Sequence, residues 1–571
     1  MVRPVLVVLA GAVALVAGHA AAGPHQQLRA KSGARCPSGN AAGLALPPGF
    51  CATVFADHLG HARHLVVDAD GTVYANSQKG NEAQDRSPAG LIVMRDVDGD
   101  GVADRITRPL AGGLGGTGIA LYKQHVFLED GSRILRYRLA DVLASRRVRG
   151  DVVLSGLPTH GDHHSHSIVI TRDGTLFVNS GSATNACQRD NRQAGSPGQV
   201  PCAEKALRAG IWRYRADRMG QVFAPGARYA SGIRNAVGLA LDPQDHVFAT
   251  QHGRDQLFEN WGTLYTPDQG QNLPAEELLD VQGGDDFGWP ECYFDPGRHR
   301  LVLAPEYNGD GGRAIGVCAR RKAPVAAFPA HWAPNALALY DGRQFPSAYR
   351  GGAFIAFHGS WNRAPGPQDG FNVVFQPLTQ GLASGPFVVF ADGFAGPNKA
   401  SGDARYRPTG LATGPDGALY ISDDKQGRIW KITYRGNADA AIAAAQGPAP
   451  ESLRVPAPEP TGHPVALPAG VTSAMVAQGR RLYNGEVAGA PCAGCHGARA
   501  QGTPVGPRLA NRDWLWSKGD LAGIRAVIVS GVPRPKNFAA PMPAFGGVRL
   551  DAAQLDALTA YVWSVGHGGA P

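Results

Sequence analysis

The sequence predicts an all-β six-bladed β-propeller followed by a small all-α domain. Three observations predict this architecture. A strand, an Asp/Gly turn and a second strand occur six times before residue 436, glycine and proline are frequent at 76 and 43 of 571 residues, and apolar residues have helical spacing near the C terminus. Hairpins that recur at intervals of several tens of residues are typical of propeller blades, and abundant turn formers disfavour long helices.

The six repeats share one pattern, in which the second strand usually carries an aromatic residue. They read HLVVDADGTVYANS from residue 64, GIALYKQHVFLED from 118, SIVITRDGTLFVNSG from 167, GLALDPQDHVFATQHG from 238, ALALYDG with AFIAFHGS from 336, and GLATGPDGALYISDD from 410. An irregular β-sandwich is the alternative fold. It is disfavoured because sandwiches rarely repeat one unit six times.

Residues 1–22 have the pattern of a secretory signal peptide. Arg3 precedes an apolar run, and the small residues Ala20 to Ala22 follow it. An uncleaved membrane anchor is the alternative, but the run is short and lacks a basic or aromatic flank after it. Since no other stretch approaches ~18 consecutive apolar residues, we expect an exported, periplasmic protein with no membrane span in the mature chain.

The charges exclude one class of partner. The formal net charge is +8, but lysine and arginine are scattered rather than clustered. A nucleic-acid-binding surface needs a concentrated basic patch, so we expect no nucleic-acid partner.

Export also decides how the cysteines are interpreted, because an oxidising compartment permits disulfides. Six of the eight cysteines fall into three pairs of sequence neighbours. These pairs predict disulfides Cys36–Cys51, Cys187–Cys202 and Cys292–Cys318. The prediction rests on proximity alone, because six cysteines allow 15 connectivities.

A change of composition near residue 437 predicts the domain boundaries. We expect a propeller domain over residues 23–436, an Ala/Pro-rich linker over 437–470, and a second domain over 471–571. The second domain ends in a predicted amphipathic helix. Its apolar residues are Leu555, Leu558, Tyr561, Val562 and Val565.

The sequence CAGCH over Cys492–His496 predicts covalent haem attachment. The thiols of Cys492 and Cys495 can add to the haem vinyl groups while His496 ligates the iron. A chance motif or a zinc site is the alternative. Zinc is disfavoured because no second thiol pair lies nearby.

Met542 is predicted to be the second axial ligand of the haem iron. It lies in the Pro-flanked sequence APMPAF before the last helix. The alternatives are a core-filling role for Met542 and ligation by Met475, which lies too close to the first helix to be preferred. With GPRLAN from residue 506 and the helix bearing Tyr561 and Trp563, this domain resembles small class I cytochromes c, which implies electron transfer.

A one-electron carrier joined to a propeller implies a cofactor in the propeller, because side chains alone cannot store two electrons. The motifs that bear on this, in chain order, are SHSIVITRDGTLFVNSG, SGIRNAVGLALDP, WAPNALALYDG, AFIAFHGSWNR and RYRPTGLATGPDGALYISDD. In this order they resemble the sorbosone dehydrogenase branch of the soluble pyrroloquinoline quinone (PQQ) sugar dehydrogenases, over about residues 45–436. The resemblance implies PQQ at the mouth of the propeller channel.

His163 matches the general base of that family. Imidazole has a pKa near working pH, which suits removal of a proton from a sugar hydroxyl. A surface or structural histidine is the alternative, because other histidines surround it. His164 and His166, two positions apart, would share a strand face and could hold a metal, although no further ligand completes a known pattern.

The resemblance also implies cofactor contacts. Arg234 and Asn235 match the pair that reaches the quinone oxygens, where they would stabilise developing charge. Arg405 and Arg407 match an Arg-x-Arg pair that holds the PQQ carboxylates. His358 matches a cofactor-contacting cation, with a core-lining histidine as the alternative.

Calcium is implied by the same resemblance. Gly253 and Arg254 match the loop whose backbone carbonyls hold a Ca²⁺ behind PQQ, which would polarise the quinone carbonyl. The family usually has other residues where His252 and Arg254 stand. Separately, the loop Asp96 to Asp104 has the oxygen spacing of a calcium loop, but Thr107 stands where a glutamate is expected, so a plain hairpin turn is favoured.

The sequence therefore predicts an exported quinohaemoprotein that oxidises an aldose or aldehyde sugar at PQQ and passes electrons through haem c to a respiratory acceptor. The alternatives are a calcium-dependent propeller lactonase, which would need no haem, and a non-catalytic electron-transfer propeller. Eight-bladed PQQ alcohol dehydrogenases carry adjacent cysteines and repeated tryptophan motifs, and this chain has neither.

Overall fold

Each of the six sequence repeats forms the inner hairpin of one propeller blade in the computed structural model. The structure describes residues 42–568 except 81–86, 111–112, 145–147, 364–365, 447–464, 486, 488–491, 498–499, 501, 503–505, 511–513, 537 and 539–540. The predicted signal peptide, Cys36 and most of the predicted linker lie outside the described residues.

The strands and helices are numbered in chain order. The strands are β1 (Phe50–Ala56), β2 (Ala62–Val67), β3 (Val73–Ser77), β4 (Gly90–Arg95), β5 (Arg105–Thr107), β6 (Ile119–Tyr122), β7 (His125–Asp130), β8 (Arg133–Arg138), β9 (Asp151–Ser155), β10 (Ile168–Ile170), β11 (Thr175–Ser180), β12 (Gly210–Arg215), β13 (Gln221–Val222), β14 (Arg228–Ser231), β15 (Leu239–Leu241), β16 (Val247–Gln251), β17 (Glu276–Val281), β18 (Cys292–Asp295), β19 (Arg300–Leu303), β20 (Ala326–Phe328), β21 (Pro334–Leu339), β22 (Ala353–Phe357), β23 (Asn372–Gln376), β24 (Leu378–Thr379), β25 (Leu382–Ala383), β26 (Val388–Ala391), β27 (Pro408–Thr413), β28 (Leu419–Asp423) and β29 (Ile429–Tyr434). The α-helices are α1 (Leu139–Leu143), α2 (Leu257–Trp261), α3 (Pro267–Asn272), α4 (Ser473–Tyr483), α5 (Cys492–His496), α6 (Leu521–Ser530) and α7 (Ala552–Gly566). Short 3₁₀ helices span Ala203–Ala206, Pro225–Ala227, Pro305–Tyr307, Gly316–Arg320, Ser347–Tyr349 and Ala544–Gly547.

Six sheets form the blades. Their strand orders are β2-β3-β4-β5, β6-β7-β8-β9 with β13 beside β9, β10-β11-β12-β14, β15-β16-β17-β20, β21-β22-β23-β26, and β27-β28-β29-β1. The first strand of each repeat contacts the first strand of the next repeat, and β27 contacts β2. The ring is therefore closed, and the predicted six-bladed propeller is confirmed.

The last blade closes the ring with strands from both ends of the domain. β1 pairs antiparallel with β29, with Phe50 opposite Tyr434 and Val54 opposite Trp430. Backbone hydrogen bonds between the first and last strands thus hold the circle together, which leaves only short outer edges exposed.

The hairpin turns follow the predicted Asp/Gly pattern. Gly71, Gly174 and Gly417 each follow an aspartate and have positive φ angles of 85°, 86° and 79°. Glycine adopts this left-handed backbone without a Cβ clash, so these residues permit tight reversals between the first two strands of a blade.

Apolar side chains fill the spaces between neighbouring blades. One cluster joins Phe177 and Ile211 of the third blade to Leu239 and Leu279 of the fourth. Each such side chain contributes ~1.5–3 kcal/mol when it is fully buried. Burial of apolar side chains between blades therefore contributes to the stability of the propeller.

Two of the three predicted disulfides are confirmed. Cys187 is bonded to Cys202 and Cys292 to Cys318. Cys51 is also disulfide-bonded, and its predicted partner Cys36 lies outside the described residues. The Cys187–Cys202 disulfide closes a loop that contributes Arg192 to the site described below.

The C-terminal domain packs its first and last helices against each other. Gly479 of α4 permits this approach, because a Cβ there would lie 2.0 Å from the Ala557 carbonyl oxygen of α7. The predicted apolar face of α7 is buried as expected. Asp551 caps α7 and forms a capping box with Gln554. Among the described residues, no helix is long and apolar enough to cross a membrane.

Candidate functional site

The polar residues of the candidate site lie at the open ends of the blade hairpins. Antiparallel pairing places the start of the first strand beside the end of the second, as in the pairs Ala62 with Ser77 and Pro408 with Asp423. Side chains at these ends also meet between blades: Asp424, which follows β28, contacts residues of the first and fifth blades. The hairpin ends therefore converge on one polar site.

His163 lies half-buried in this site, just before β10. Its Nδ1 is 2.9 Å from the Ser182 carbonyl oxygen and 3.0 Å from the Ser182 hydroxyl. A proton on Nδ1 satisfies the carbonyl and leaves Nε2 as an acceptor. Burial, reinforced by the positive charges of Arg234 and Arg192, lowers the pKa of His163 well below 6.5. The ring is therefore neutral at pH 7.

The neighbouring histidines do not form the shared strand face that the sequence suggested. His164 is exposed, whereas His166 is fully buried. Both ring nitrogens of His166 face carbonyl oxygens, at 2.9 Å from Asn179 and 2.8 Å from Pro158. The residues precede β10 instead of lying in it, so strict alternation does not apply. This pair is not arranged to bind a metal together.

Asp255 organises one half of the site. Its Oδ2 accepts hydrogen bonds from Nη2 of Arg234 and Nη2 of Arg192, each at 3.0 Å. Its Oδ1 accepts one from Asn362 at 2.9 Å. Arg192 also pairs with Asp162 at 2.9 Å. Two buried guanidinium groups and two carboxylates therefore compensate one another, as burial of charge requires.

Asp424 organises the other half of the site. Its Oδ1 lies 2.7 Å from Nε2 of His358, and its Oδ2 lies 2.5 Å from Nη1 of Arg63. Arg407 donates to the carbonyl oxygens of His358 and Gly359, both at 2.9 Å. Asp423 also lies here, where its Oδ1 accepts a hydrogen bond from the Arg407 amide, and burial raises its pKa to about 7. Two guanidinium groups therefore face one fully charged and one partly charged carboxylate at neutral pH.

Of the predicted Arg-x-Arg pair, the structure places Arg407 in the site. Arg405 instead stacks on the ring of Tyr406, with its guanidinium carbon 5.4 Å from the ring centroid. Arg428 stacks on the same ring at 4.7 Å. The prediction treated Arg405 and Arg407 alike, and their surroundings differ.

The residues predicted to hold calcium are engaged by other groups. The Gly253 carbonyl accepts a hydrogen bond from Nη1 of Arg234 at 2.8 Å. The side chain of Arg254 is buried and paired with Glu306. The Gly253 carbonyl oxygen therefore already accepts one hydrogen bond from a cationic group, and the Arg254 side chain is used in an ion pair. Calcium binding at this loop stays a prediction.

The loop from Asp96 to Asp104 has the geometry of a hydrogen-bonded turn. Ligand oxygens of Asp96, Asp98 and Asp104 lie within 4.8 Å of one another. Asp96 accepts hydrogen bonds from the amides of Gly99 and Gly101, at 2.7 and 2.9 Å. These bonds are those of the favoured hairpin turn, and calcium at this loop stays the untested alternative.

The site fits an anionic quinone cofactor such as PQQ. Asn235 is buried, and its Oδ1 has no hydrogen-bond partner among the described residues. A Cβ on Gly181 would lie 2.6 Å from the His163 Cβ and 2.8 Å from this Oδ1, so the glycine leaves room where the two side chains meet. Arg63 and Arg407 offer positive charge for carboxylates. The residues that would hold PQQ are therefore Arg63, Asn235, Arg234 and Arg407.

A cavity of about 650 Å³ contains the CAGCH motif. Cys492, Cys495, His496 and Met542 all line it. Nδ1 of His496 is 2.9 Å from the Pro507 carbonyl oxygen, which leaves Nε2 available for iron, as in many metal-binding histidines. Met475 is not among the residues that line this cavity. The arrangement fits haem c with His496 and Met542 as ligands.

The propeller forms one wall of the haem cavity. Both domains belong to one compact unit, and Arg192, Asn362, Trp261 and Trp361 of the propeller line the same cavity as the haem-binding motif. Two of these side chains, Arg192 and Asn362, also donate hydrogen bonds to Asp255. The cavity is thus separated from the Arg234 network by a single layer of side chains.

Sequence reasoning missed four residues that organise the site: Arg63, Arg192, Asp255 and Asp424. Arg63 and Asp424 stand at the open ends of predicted hairpins, and that position was a usable signal. Arg192 lies inside the loop closed by the Cys187–Cys202 disulfide, and Asp255 lies beyond β16. No local pattern distinguished these two.

Comparison with known proteins agrees with this geometry. The sequence profile of the TrAA12-like family matches residues 44–435. The chain belongs to the TrAA12-like family. The cytochrome c profile matches residues 476–566, so this TrAA12-like propeller is joined to a cytochrome c domain, which implies haem c.

Two curated relatives match different parts of the TrAA12-like chain. A pyrroloquinoline quinone-dependent pyranose dehydrogenase of Coprinopsis cinerea is 26% identical over 277 residues, which are 42% of this chain and 36% of that protein. The cbb3-type cytochrome c oxidase subunit FixPc of Rhizobium leguminosarum bv. viciae is 43% identical over 77 residues, 13% of this chain and 26% of that protein. The aligned segments cover well under half of these relatives.

Solved structures support the fold of the TrAA12-like domain. The holo PQQ domain of Coprinopsis cinerea pyranose dehydrogenase superposes with a TM-score of 0.54 at 19% identity, covering 68% of this chain and 97% of that one. A Trichoderma reesei family AA12 structure gives the same TM-score at 19% identity, covering 69% and 98%. At this identity the likeness establishes the propeller fold.

Proposed function

We propose that this protein is an exported quinohaemoprotein dehydrogenase that oxidises an aldose or aldehyde sugar at PQQ and delivers the electrons to its own haem c. The observation that carries the proposal is the shared wall: side chains that bond Asp255 beside the predicted quinone site also line the haem cavity. Related proteins named as PQQ-dependent pyranose dehydrogenases support the substrate class.

Bound PQQ would accept a hydride from C1 of the sugar and release its two electrons one at a time. His163 is the base. Its Nε2, left free by the Nδ1 contact with Ser182, takes the proton of the C1 hydroxyl as the carbonyl product forms. Arg234 and Asn235 stabilise negative charge beside it. Arg407 and Arg63 would hold and orient the carboxylates of PQQ.

The surrounding histidines remain neutral during this reaction. Burial lowers the pKa of His64 to about 4, of His252 to about 3 and of His358 to about 4. At neutral pH the positive charge of the site therefore resides on guanidinium groups, which do not exchange protons with the substrate. His252 also lies beside Asn235 and Arg234, but its Nε2 faces the Pro334 carbonyl oxygen at 3.1 Å. His163 is distinguished from it because its carbonyl contact is made by Nδ1.

The proposal extends to location and acceptor. The N-terminal signal pattern and the disulfides support export to an oxidising compartment, which we assign as the periplasm. The fused cytochrome c domain supports a downstream respiratory acceptor. The rival lactonase function needs a cluster of acidic metal ligands on the axis. Among the described residues, clusters of potential ligands occur only at Cys187/Cys202/Glu204 and in the Asp96 loop.

The test compares His163→Ala with His164→Ala in purified holoprotein supplied with PQQ. Removal of a general base costs ~10²- to 10⁴-fold in rate, so His163→Ala should lose that much kcat with an artificial acceptor and little PQQ affinity. His164 is exposed and serves as the matched control. Equal rates in both variants and the wild type would refute the assignment.

The pH profile gives an independent check. Protonated His163 cannot accept a proton, and its folded-state pKa is lowered. The acid limb of kcat/KM should therefore lie below pH 6.5, with activity present above it and lost as the pH falls through it. An acid limb above pH 7 that persists in His164→Ala would contradict His163 as the base.

A further inference from the structure

The segment His358–Asn362 connects the predicted quinone site with the haem cavity. It follows β22. At its start, Nε2 of His358 lies 2.7 Å from Asp424; at its end, Nδ2 of Asn362 donates to Asp255 at 2.9 Å. Trp361, between these contacts, lines the cavity that also contains His496. Five consecutive residues therefore touch both halves of the site and the haem cavity.

Hydrogen bonds fix the backbone of this segment. The His358 amide donates to the Ala333 carbonyl at 2.8 Å, and the Gly359 amide donates to the Trp332 carbonyl at 2.9 Å. Ser360 exchanges two bonds with Asp369, through its amide at 2.9 Å and its hydroxyl at 2.8 Å. The segment is held from both sides, so the position of Trp361 is well defined.

Gly359 sets the direction in which the chain leaves β22. Its φ is +92°, and a Cβ there would lie 2.2 Å from the ring of Phe371. Both observations require glycine at this position. Arg407 bonds the carbonyl oxygens of His358 and Gly359, so the guanidinium predicted to hold PQQ carboxylates also touches this segment.

We propose that Trp361 is the side chain through which electrons pass from the quinone site to the haem. This inference rests on the proposed function. Oxidation of one sugar supplies two electrons, and each passes singly to ferric haem iron, which becomes ferrous and is reoxidised by the downstream acceptor before the second electron arrives. Trp361 returns to its starting oxidation state after each electron has passed. The indole of Trp361 supplies an extended π system in the wall of the haem cavity. The next residue, Asn362, bonds Asp255, and His358, three positions before Trp361, bonds Asp424.

Trp261 provides a matched comparison. It lines the same cavity, but its Nε1 donates to Glu306 at 2.8 Å, and Glu306 in turn pairs with Arg254. Trp261 lies at the end of α2, whereas Trp361 is adjacent in sequence to Asn362, which donates to Asp255. The two tryptophans thus share the cavity and differ in their connection to the quinone site.

The experiment uses full-length holoprotein loaded with PQQ and compares Trp361→Leu, Trp361→Phe and Trp261→Leu with the wild type. The rate of haem reduction after rapid mixing with sugar is measured in a single turnover. Dye-linked sugar oxidation and the haem midpoint potential are measured on the same samples. For Trp361→Leu, the ratio of the haem-reduction rate to the dye-linked rate should fall by about tenfold or more, which corresponds to about 1.4 kcal/mol of barrier.

The haem midpoint potential should stay unchanged in Trp361→Leu. This measurement is the control for driving force, because a lower potential would by itself slow haem reduction. Trp361→Phe should retain most of the ratio, and Trp261→Leu should retain all of it. An unchanged ratio in Trp361→Leu, or an equal loss in Trp261→Leu, overturns this inference and leaves the proposed function standing. Absence of sugar-dependent haem reduction in the wild type overturns both.

Discussion

Replacement of Asp255 by asparagine tests whether one buried carboxylate holds the two cationic side chains of the site. Asp255 accepts hydrogen bonds from Arg192, Arg234 and Asn362. The side chains of the two arginines are each only 3% exposed. Asparagine has nearly the same shape, so the substitution removes the charge and leaves little cavity.

The expected loss follows from that burial. Breaking a buried ion pair by removing one partner costs ~3–5 kcal/mol, because the remaining charge stays buried and uncompensated. Arg192 retains Asp162 as a partner at 2.9 Å. Arg234 keeps only neutral partners, namely Asn185 and the Gly253 carbonyl. We therefore expect Asp255→Asn to lower the free energy of unfolding by about 3 kcal/mol, near the lower end of that range.

The assay is guanidinium unfolding of the full chain, followed by the circular dichroism of the β-sheets. The midpoint should fall while the denaturant slope stays constant. Asp151→Asn is the matched control, since Asp151 pairs with Arg136 at 3.1 Å but is 59% exposed; it should cost ~0–1 kcal/mol. Equal losses in the two variants would refute the assignment of Asp255 as the charge that holds the site.

Acid should reproduce the effect of this substitution in the wild type. Burial alone would raise the pKa of Asp255, but Arg234 and Arg192 outweigh it and hold the pKa below 3.8. Its contribution to stability is therefore complete above the unfolded-state pKa and is lost as the pH falls through the lower folded-state value. The difference in stability between wild type and Asp255→Asn should be constant at neutral pH and shrink only in strong acid.

The remaining predictions concern the haem and a buried carboxyl group. Replacing Cys492 and Cys495 together by serine should abolish the haem spectrum that survives acid–acetone extraction while the β-sheet circular dichroism persists; a surviving covalent spectrum would contradict the attachment site. Met542→Ala should lower the haem midpoint potential, because a thioether ligand favours ferrous iron, and Met475→Ala should not; the reverse result would reassign the ligand. Burial raises the pKa of Glu277 to about 8, so its contribution to stability is present below pH 4.5 and is lost as the pH rises through 8. Thermal unfolding of Glu277→Gln should therefore show a gain over the wild type that grows from pH 5 to pH 8.5, and a constant difference would exclude this titration.

Much of the fold could be predicted because its signals are local. A hairpin needs alternating apolar residues and a turn such as Asp70–Gly71, and all of these lie within about a dozen residues. The pairing of Cys187 with Cys202 is likewise short in sequence. The CAGCH motif needs only five positions, because covalent attachment and iron ligation act on one turn of helix.

Parts of the candidate site could also be predicted, through position in the repeat. His163, Arg234 and Arg407 all precede the first strand of a blade, and antiparallel pairing puts such residues at the open end of the hairpin. Resemblance to a family gave them roles. Arg405 and Arg407 could not be distinguished from the sequence, because side chains two positions apart in an extended segment point to the same side of the chain. Their packing separates them, because Arg405 stacks on Tyr406.

The sequence alone determined the six hairpins, the closed ring they imply and the covalent haem motif, because each depends on neighbours along the chain. Only the tertiary structure decided what surrounds the reacting groups. Arg192, Asp255 and Trp361 come from three different loops; Arg192 bonds Asp255 and lines the same cavity as Trp361 because closure of the ring brings distant parts of the chain together. Charge compensation and burial depend on such distant contacts, so no local pattern in the sequence records them.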